Sequence, residues 1–250
     1  MSGERDRWRV QRALLLLALA SIGLYAWLAL RYPLLPGLVI GRASWATLAE
    51  RSLAAGLLHG GVYTLLIGFY LLALGSSARQ HDTVPDQRRV LALIWGGWLV
   101  MAAMLLGAYP GESLDIFDYL FRGRMLAEYG ASPLAGSPTP FGGRPFYRFI
   151  TRRGQVDTYG PLWEYASGGV AWAVGRLLPR PITETTVALA IYITAYRLLA
   201  ILFSGLCGAL VYDIARRHRP ALAPAALLAW LWNPLLLTAS AVGAHNDRCV

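Results

Sequence analysis

Lysine is missing from this chain, and charge of either sign is scarce. Only 15% of the 250 residues are charged, against about 25% in an ordinary soluble domain. That scarcity, with 56% hydrophobic residues, excludes a conventional water-soluble globule. Cysteine is limited to Cys207 and Cys249, too few for a disulfide framework or a cysteine-built metal site. No Gly-rich loop of the phosphate-cradling type is present, so nothing points to a bound nucleotide. The basic excess is all arginine, 23 residues against 14 acids for a formal +9. These arginines flank apolar runs and form no stripe. They read as topology and headgroup determinants, with no nucleic-acid partner.

What the chain does have is long uncharged stretches, at 13–30, 52–78, 90–111 and 220–246. A helix needs about 20 apolar residues to cross the hydrocarbon core, and backbone amides in lipid must be paired within the segment. Helices are therefore expected near 13–30, 55–76, 90–108, 185–213 and 221–242, with a weaker apolar segment at 160–178. Residues 31–51, with Pro33 and Pro36, read as a mixed loop. The first run follows Arg5, Arg7, Arg9 and Arg12 but lacks a small-residue cleavage site, so it reads as a retained anchor and not a signal peptide. Arginine counts put the N-terminus and the 77–89 loop in the cytoplasm, and hence 109–159 outside. If 160–178 is re-entrant or interfacial, Arg216, Arg217 and Arg219 lie inside and residues 245–247 emerge on the side of the long loop. The chain ends directly after an apolar helix, which reads as the N-terminal part of a longer protein.

Residues 109–159 are polar and rich in Pro and Gly, yet keep Tyr, Phe and Ile throughout, so an ordered functional loop is expected. Its densest cluster is Asp115-Ile-Phe-Asp118-Tyr119-Leu-Phe-Arg122. On a helix Asp115, Asp118, Tyr119 and Arg122 share one face, giving an amphipathic helix beside the membrane that ends at Gly130. Asp118 with Arg122, and Arg124 with Glu128, are spaced as i,i+4 ion pairs. Asp115 has no basic residue three or four positions away, and an uncompensated carboxylate beside apolar material is a functional candidate. Tyr159 precedes Gly160-Pro161, a turn into an aromatic helix start, with Glu164 at its mouth either paired or facing a cavity. Arg197 interrupts the 185–213 run, as a partner for a buried acid, a snorkelling side chain or a lipid-phosphate contact. Finally, Trp232-Asn233-Pro234 and then His245, Asn246 and Asp247 close the chain. An imidazole, an amide and a carboxylate at a helix end suit a hydroxyl-bearing substrate or a divalent cation such as Mg or Mn. By spacing alone, an ordinary polar exit from the bilayer is the favoured explanation.

Five pieces in order, Ser113-Leu-Asp-Ile-Phe-Asp-Tyr119, the Arg122-Gly-Arg to Ser132-Pro133 stretch, Thr158-Tyr-Gly-Pro-Leu-Trp163, Trp232-Asn-Pro-Leu-Leu-Leu237 and Gly243-Ala-His-Asn-Asp247, give the sequence a family likeness. Over residues 90–250 it resembles the polyprenyl-phosphate-mannose-dependent mannosyltransferases of the GT-C superfamily, alpha-1,6-mannopyranosyltransferase-like and glycosyltransferase family 87-like. The resemblance implies an all-α, polytopic transmembrane helical bundle of GT-C type. It implies one transmembrane domain over 1–250, with an extracytoplasmic catalytic loop at 109–159 bearing interfacial helices. It places the catalytic base on Asp115, with Asp118, Tyr119, Arg122, Tyr159, His245, Asn246 and Asp247 as substrate-binding candidates. The expected enzyme sits in the inner membrane. It moves a hexose, mannose by resemblance, from a polyprenyl-phosphate donor to a lipid or glycan acceptor by inverting displacement. The loop arginines 122, 124, 144, 148, 152 and 153 offer forks for the leaving phosphate. The rival expectations are a transporter or lipid-binding protein, with Arg197, Glu164 and His59 lining a pathway, and an inactive truncated subunit.

Overall fold

The computed structural model describes residues 2–40, 52–78, 84–111 and 113–245. Its elements are helices α1 (Ser2–Arg31), α2 (Leu34–Ile40), α3 (Leu53–Ala78), α4 (Val84–Leu106), α5 (Asp115–Tyr129), α6 (Pro161–Leu177), α7 (Thr186–His218), α8 (Ala223–Leu231) and α9 (Pro234–Ala241). Short 3₁₀ turns cover Thr139–Phe141, Tyr147–Phe149 and Pro220–Leu222. Four helical stretches, Trp8–Arg31, Leu53–Ala78, Gln87–Leu106 and Thr186–His218, are long and apolar enough to cross a membrane. The pair α8 and α9, bent by 49°, makes a fifth if it is one broken span. This is the all-α polytopic membrane fold expected from the uncharged runs.

The chain divides into two compact units. The first holds residues 1–31, 49–107 and 202–238. Within it α1 packs on α3 and α4, and α8 packs on the same two helices. Indole N–H groups tie it together: Trp232 Nε1 donates to the Ile94 carbonyl at 2.8 Å and Trp230 Nε1 to the Ser204 carbonyl at 2.9 Å. Gly97 makes room for the first of these, since a Cβ there would lie 2.7 Å from the Trp232 ring. Leu15, Leu16, Leu19, Leu57, Leu72, Leu206 and Leu210 point outward and exposed. Helices apolar on every side are what lipid requires.

The second unit holds residues 32–48, 108–201 and 239–250. Its spine is the crossing of α5 and α6. Small residues allow the close approach: a Cβ on Gly123 would lie 2.6 Å from the Ser167 carbonyl oxygen, and one on Gly168 would lie 2.7 Å from Leu126 Cδ2. At 17 residues, α6 rises about 26 Å, short of the ~30 Å hydrocarbon core.

Two expectations need correcting. The 31–51 stretch is not all loop, because Leu34–Ile40 is helical; residues 41–51 lie outside the described ones. The run 221–242 is not one helix. Pro234 has no N–H to donate, and Asn233 Oδ1 accepts instead from the backbone N–H groups of Leu235 (3.0 Å) and Leu236 (3.4 Å). The side chain caps a new helix where the old one stops.

Candidate functional site

Helix α5 starts at Asp115, whose N–H donates to Ser113 Oγ at 3.1 Å. It ends at Gly130, where a left-handed φ of 64° lets the cap N–H reach the Met125 carbonyl. Every residue from Ile116 to Met125 is buried. The helix is therefore not an amphipathic one with a polar face left open, as its sequence suggested. The loop 130–160 folds back over it, held by Phe121, Met125 and Ile150 with Tyr129, Phe141 and Tyr147 against them, and by the stacked rings of Phe117 and Phe149. Those aromatics are why the loop is ordered.

The expected Asp118–Arg122 ion pair does not form. Asp118, only 2% exposed, accepts at Oδ1 from the N–H groups of Thr151 (3.2 Å) and Arg152 (3.1 Å), and at Oδ2 from the Thr151 hydroxyl. Arg122 reaches instead to the carbonyls of Gln155 (3.0 Å) and Arg152 (3.4 Å), and lies 3.7 Å from Asp157 Oδ1. Both side chains clamp the 151–157 segment onto α5. The other i,i+4 pair holds: Arg124 makes a two-pronged contact with Glu128 at 2.9 and 2.7 Å.

That clamp delivers Arg152 to Asp115. Arg152 Nη2 lies 3.3 Å from Asp115 Oδ1, and Nη1 donates to the Tyr159 hydroxyl at 3.4 Å. The Tyr159 hydrogen bond and then the Asp115 charge raise the pKa of a guanidinium that is already always cationic. On the other carboxylate oxygen, Asp115 Oδ2 lies 3.8 Å from His245 Nδ1. His245 is carried on a turn whose Val242 carbonyl accepts from Arg197 Nε at 2.9 Å. Arg197 is fully buried, so it neither snorkels nor waits for a lipid phosphate. Tyr119 packs edge-on against Tyr159 and Trp163, each at 5.1 Å. The structure thus gathers Asp115, Asp118, Tyr119, Arg122, Tyr159 and His245 around one segment. Asn246 and Asp247 lie outside the described residues. Among the described residues no three or more His, Cys, Asp or Glu converge as metal ligands.

Glu164 at the start of α6 is 3% exposed and lies beside Asp157, so that once protonated it can donate a hydrogen bond to that carboxylate. Burial first, then that bond and the Asp157 charge, push its carboxyl from the usual 4.5 to about 9. The folded state therefore keeps a proton that the unfolded chain gives up. Its stabilising contribution is complete below about pH 4.5 and is lost as pH rises toward 9. Between about pH 5 and pH 9, wild-type unfolding temperature should fall, and Glu164→Gln, which imitates the protonated acid, should flatten that fall. Thermal unfolding in detergent across this range checks it; parallel curves for the two proteins would refute the shared proton.

Arg152 is the site residue whose importance sequence spacing did not single out; it was one of six loop arginines offered to a phosphate. Of the others, Arg124 is held by Glu128 and Arg148 by Glu184, and Arg153 donates to the Ile150 and Arg148 carbonyls.

The family model described as alpha-(1->6)-mannopyranosyltransferase, N-terminal domain, matches residues 10–250 of this chain. No curated protein and no solved structure matches it.

Proposed function

The chain belongs to the alpha-(1->6)-mannopyranosyltransferase family, and from that premise we propose that it transfers mannose from a polyprenyl-phosphate donor to a hydroxyl of a lipid or glycan acceptor. Asp115 takes the acceptor hydroxyl's proton. The acceptor oxygen bonds to the anomeric carbon from the face opposite the phosphate. The bond from that carbon to the phosphate oxygen breaks, and polyprenyl phosphate departs with the electron pair, inverting the configuration. The observation that carries the reading is the meeting at Asp115 of a carboxylate from α5, a half-exposed guanidinium from the long loop and an imidazole from the 242–245 turn. Arg152, with 44% of its side chain exposed, turns its fork from Asp115 to the leaving phosphate, which frees the carboxylate to act as base. Tyr159, partly exposed beside Arg152, faces the sugar, and the buried Tyr119 ring packs edge-on behind it. A radiolabelled mannosyl polyprenyl phosphate, supplied to membranes carrying the intact enzyme, tests the reading: label that never leaves the donor pool sinks it.

The site is placed on the extracytoplasmic side of the inner membrane. Supporting this are the arginines in the first turns of α1 and of α4, and the shortness of α6, which suits an interfacial or re-entrant segment. A single cysteine at Ser137, in a background without Cys207 and Cys249, should react with an impermeant thiol reagent in cells whose inner membrane is intact. Reaction only after that membrane is breached would invert the topology.

A further inference from the structure

We propose that a cleft at the C-terminal end of α5 binds a phosphate group on a molecule other than the sugar donor. The cleft encloses about 580 Å³, and Arg124, Glu128, Tyr129, Phe141, Arg144 and Arg180 line much of it. That volume lies in the range of small-ligand sites, about 300–1,000 Å³. It is also remote from the chemistry. Thirteen residues of helix separate Asp115 from Glu128, about 20 Å at 1.5 Å per residue, so one phosphate cannot serve both places.

The charges decide the class of ligand. Arg124 and Glu128 form the floor and cancel. Arg124 is almost completely buried, spends Nε and Nη2 on the carboxylate and donates Nη1 to the Pro145 carbonyl at 2.6 Å, while Tyr192 donates its hydroxyl to Glu128 Oε1 at 3.0 Å. Arg144 and Arg180 are different. Among the described residues neither has a carboxylate beside it. Arg180 makes one long bond, 3.4 Å, to the Gly175 carbonyl. Arg144 lies over the Tyr129 ring at 5.2 Å, and that ring is itself stacked on Phe141 at 5.2 Å and 16°. The aromatic pair holds one guanidinium fork in place before any ligand arrives, which lowers the cost of binding. Two uncompensated cations around a neutral floor call for a compact anionic group with oxygens enough for two guanidinium forks. A phosphate matches that better than a carboxylate, and its oxygens accept from both forks. The group is carried either by a phospholipid headgroup or by a phosphorylated sugar; the recognition chemistry is shared.

The inference does not depend on the transfer reading, since binding and not turnover is measured. The intact protein in a neutral detergent is titrated with short-chain phosphatidylglycerol, with mannose 6-phosphate, and with mannose as the uncharged control, while its unfolding temperature is followed. At least one phosphate probe should raise it in a saturable way and mannose should not. Arg144→Gln with Arg180→Gln should weaken that probe by about tenfold or more, the two lysine replacements should fall between, and Arg152→Gln should leave it unchanged. A response to phosphatidylglycerol alone assigns a lipid headgroup, and one to mannose 6-phosphate alone assigns a sugar phosphate. No saturable shift with either probe overturns the proposal. So does wild-type affinity in the double glutamine variant, or a loss that follows Arg152 instead.

Discussion

Asp115→Asn should abolish mannosyl transfer in the intact enzyme, by about 10²–10⁴-fold or to background, while expression and donor binding stay near wild type. Asparagine keeps the shape of the side chain and an oxygen that still accepts from Arg152, which lies 3.3 Å from the carboxylate. What it removes is the ability to hold the acceptor's proton. The loss should therefore appear in the turnover rate and hardly in donor affinity, the pattern of an interaction made only in the transition state. The structure also supplies the rival base. His245 Nδ1 is 3.8 Å from the same carboxylate, and an imidazole is competent for this step. His245→Gln separates the two. If it stops transfer while Asp115→Asn does not, the base is the histidine and the aspartate orients it. If neither variant matters, the glycosyltransferase reading loses its residue-level support.

The helices were legible because lipid imposes a rule that sequence obeys openly: a span must be contiguous and apolar. The short helix Leu34–Ile40 escaped because Pro33 and Pro36 speak for loop, although a proline fits well in a first helical turn. The break before Pro234 was signalled by the proline, but its cap was legible only once Asn233 was seen accepting from Leu235 and Leu236. In the site, spacing gave the right answer for Arg124 and Glu128, whose interaction is local. It failed for Asp118 and Arg122, whose partners are backbone groups and an acid far along the chain. The i,i+4 rule sees what a helix can do with itself and is blind to a loop that folds back over it. The same blindness hid Arg152. Asp115 stood out for having no local cation; the cation it does have arrives from the other end of the long loop.

Asp118 holds the long loop against the helix that carries Asp115. Its carboxylate takes three donors from Thr151 and Arg152, and through them sets where the Arg152 guanidinium sits relative to Asp115. It touches the loop, so it is a positioning residue for the proposed chemistry. Asp118→Ala takes the shared acceptor away from two part-buried backbone N–H groups and the Thr151 hydroxyl, at about 1–3 kcal/mol for the set, and the segment meets water instead by lifting away from α5. At ~1.4 kcal/mol per factor of ten, transfer should drop by up to about a hundredfold. Asp118→Asn is milder. Its amide oxygen still accepts from the two N–H groups, and its amide nitrogen donates to the Thr151 hydroxyl, so only the charge assistance goes and the loss is about tenfold. A positioning role has a readout that a base does not: the peptide bond between Arg152 and Arg153. In the wild type both residues are held down, and in Asp115→Asn they remain so. In Asp118→Ala trypsin should cut there several times faster at equal enzyme. Equal cutting in all three proteins, with transfer lost in Asp118→Asn as completely as in Asp118→Ala, would mean that the Asp118 charge itself takes part in the reaction and the clamp does not explain its role.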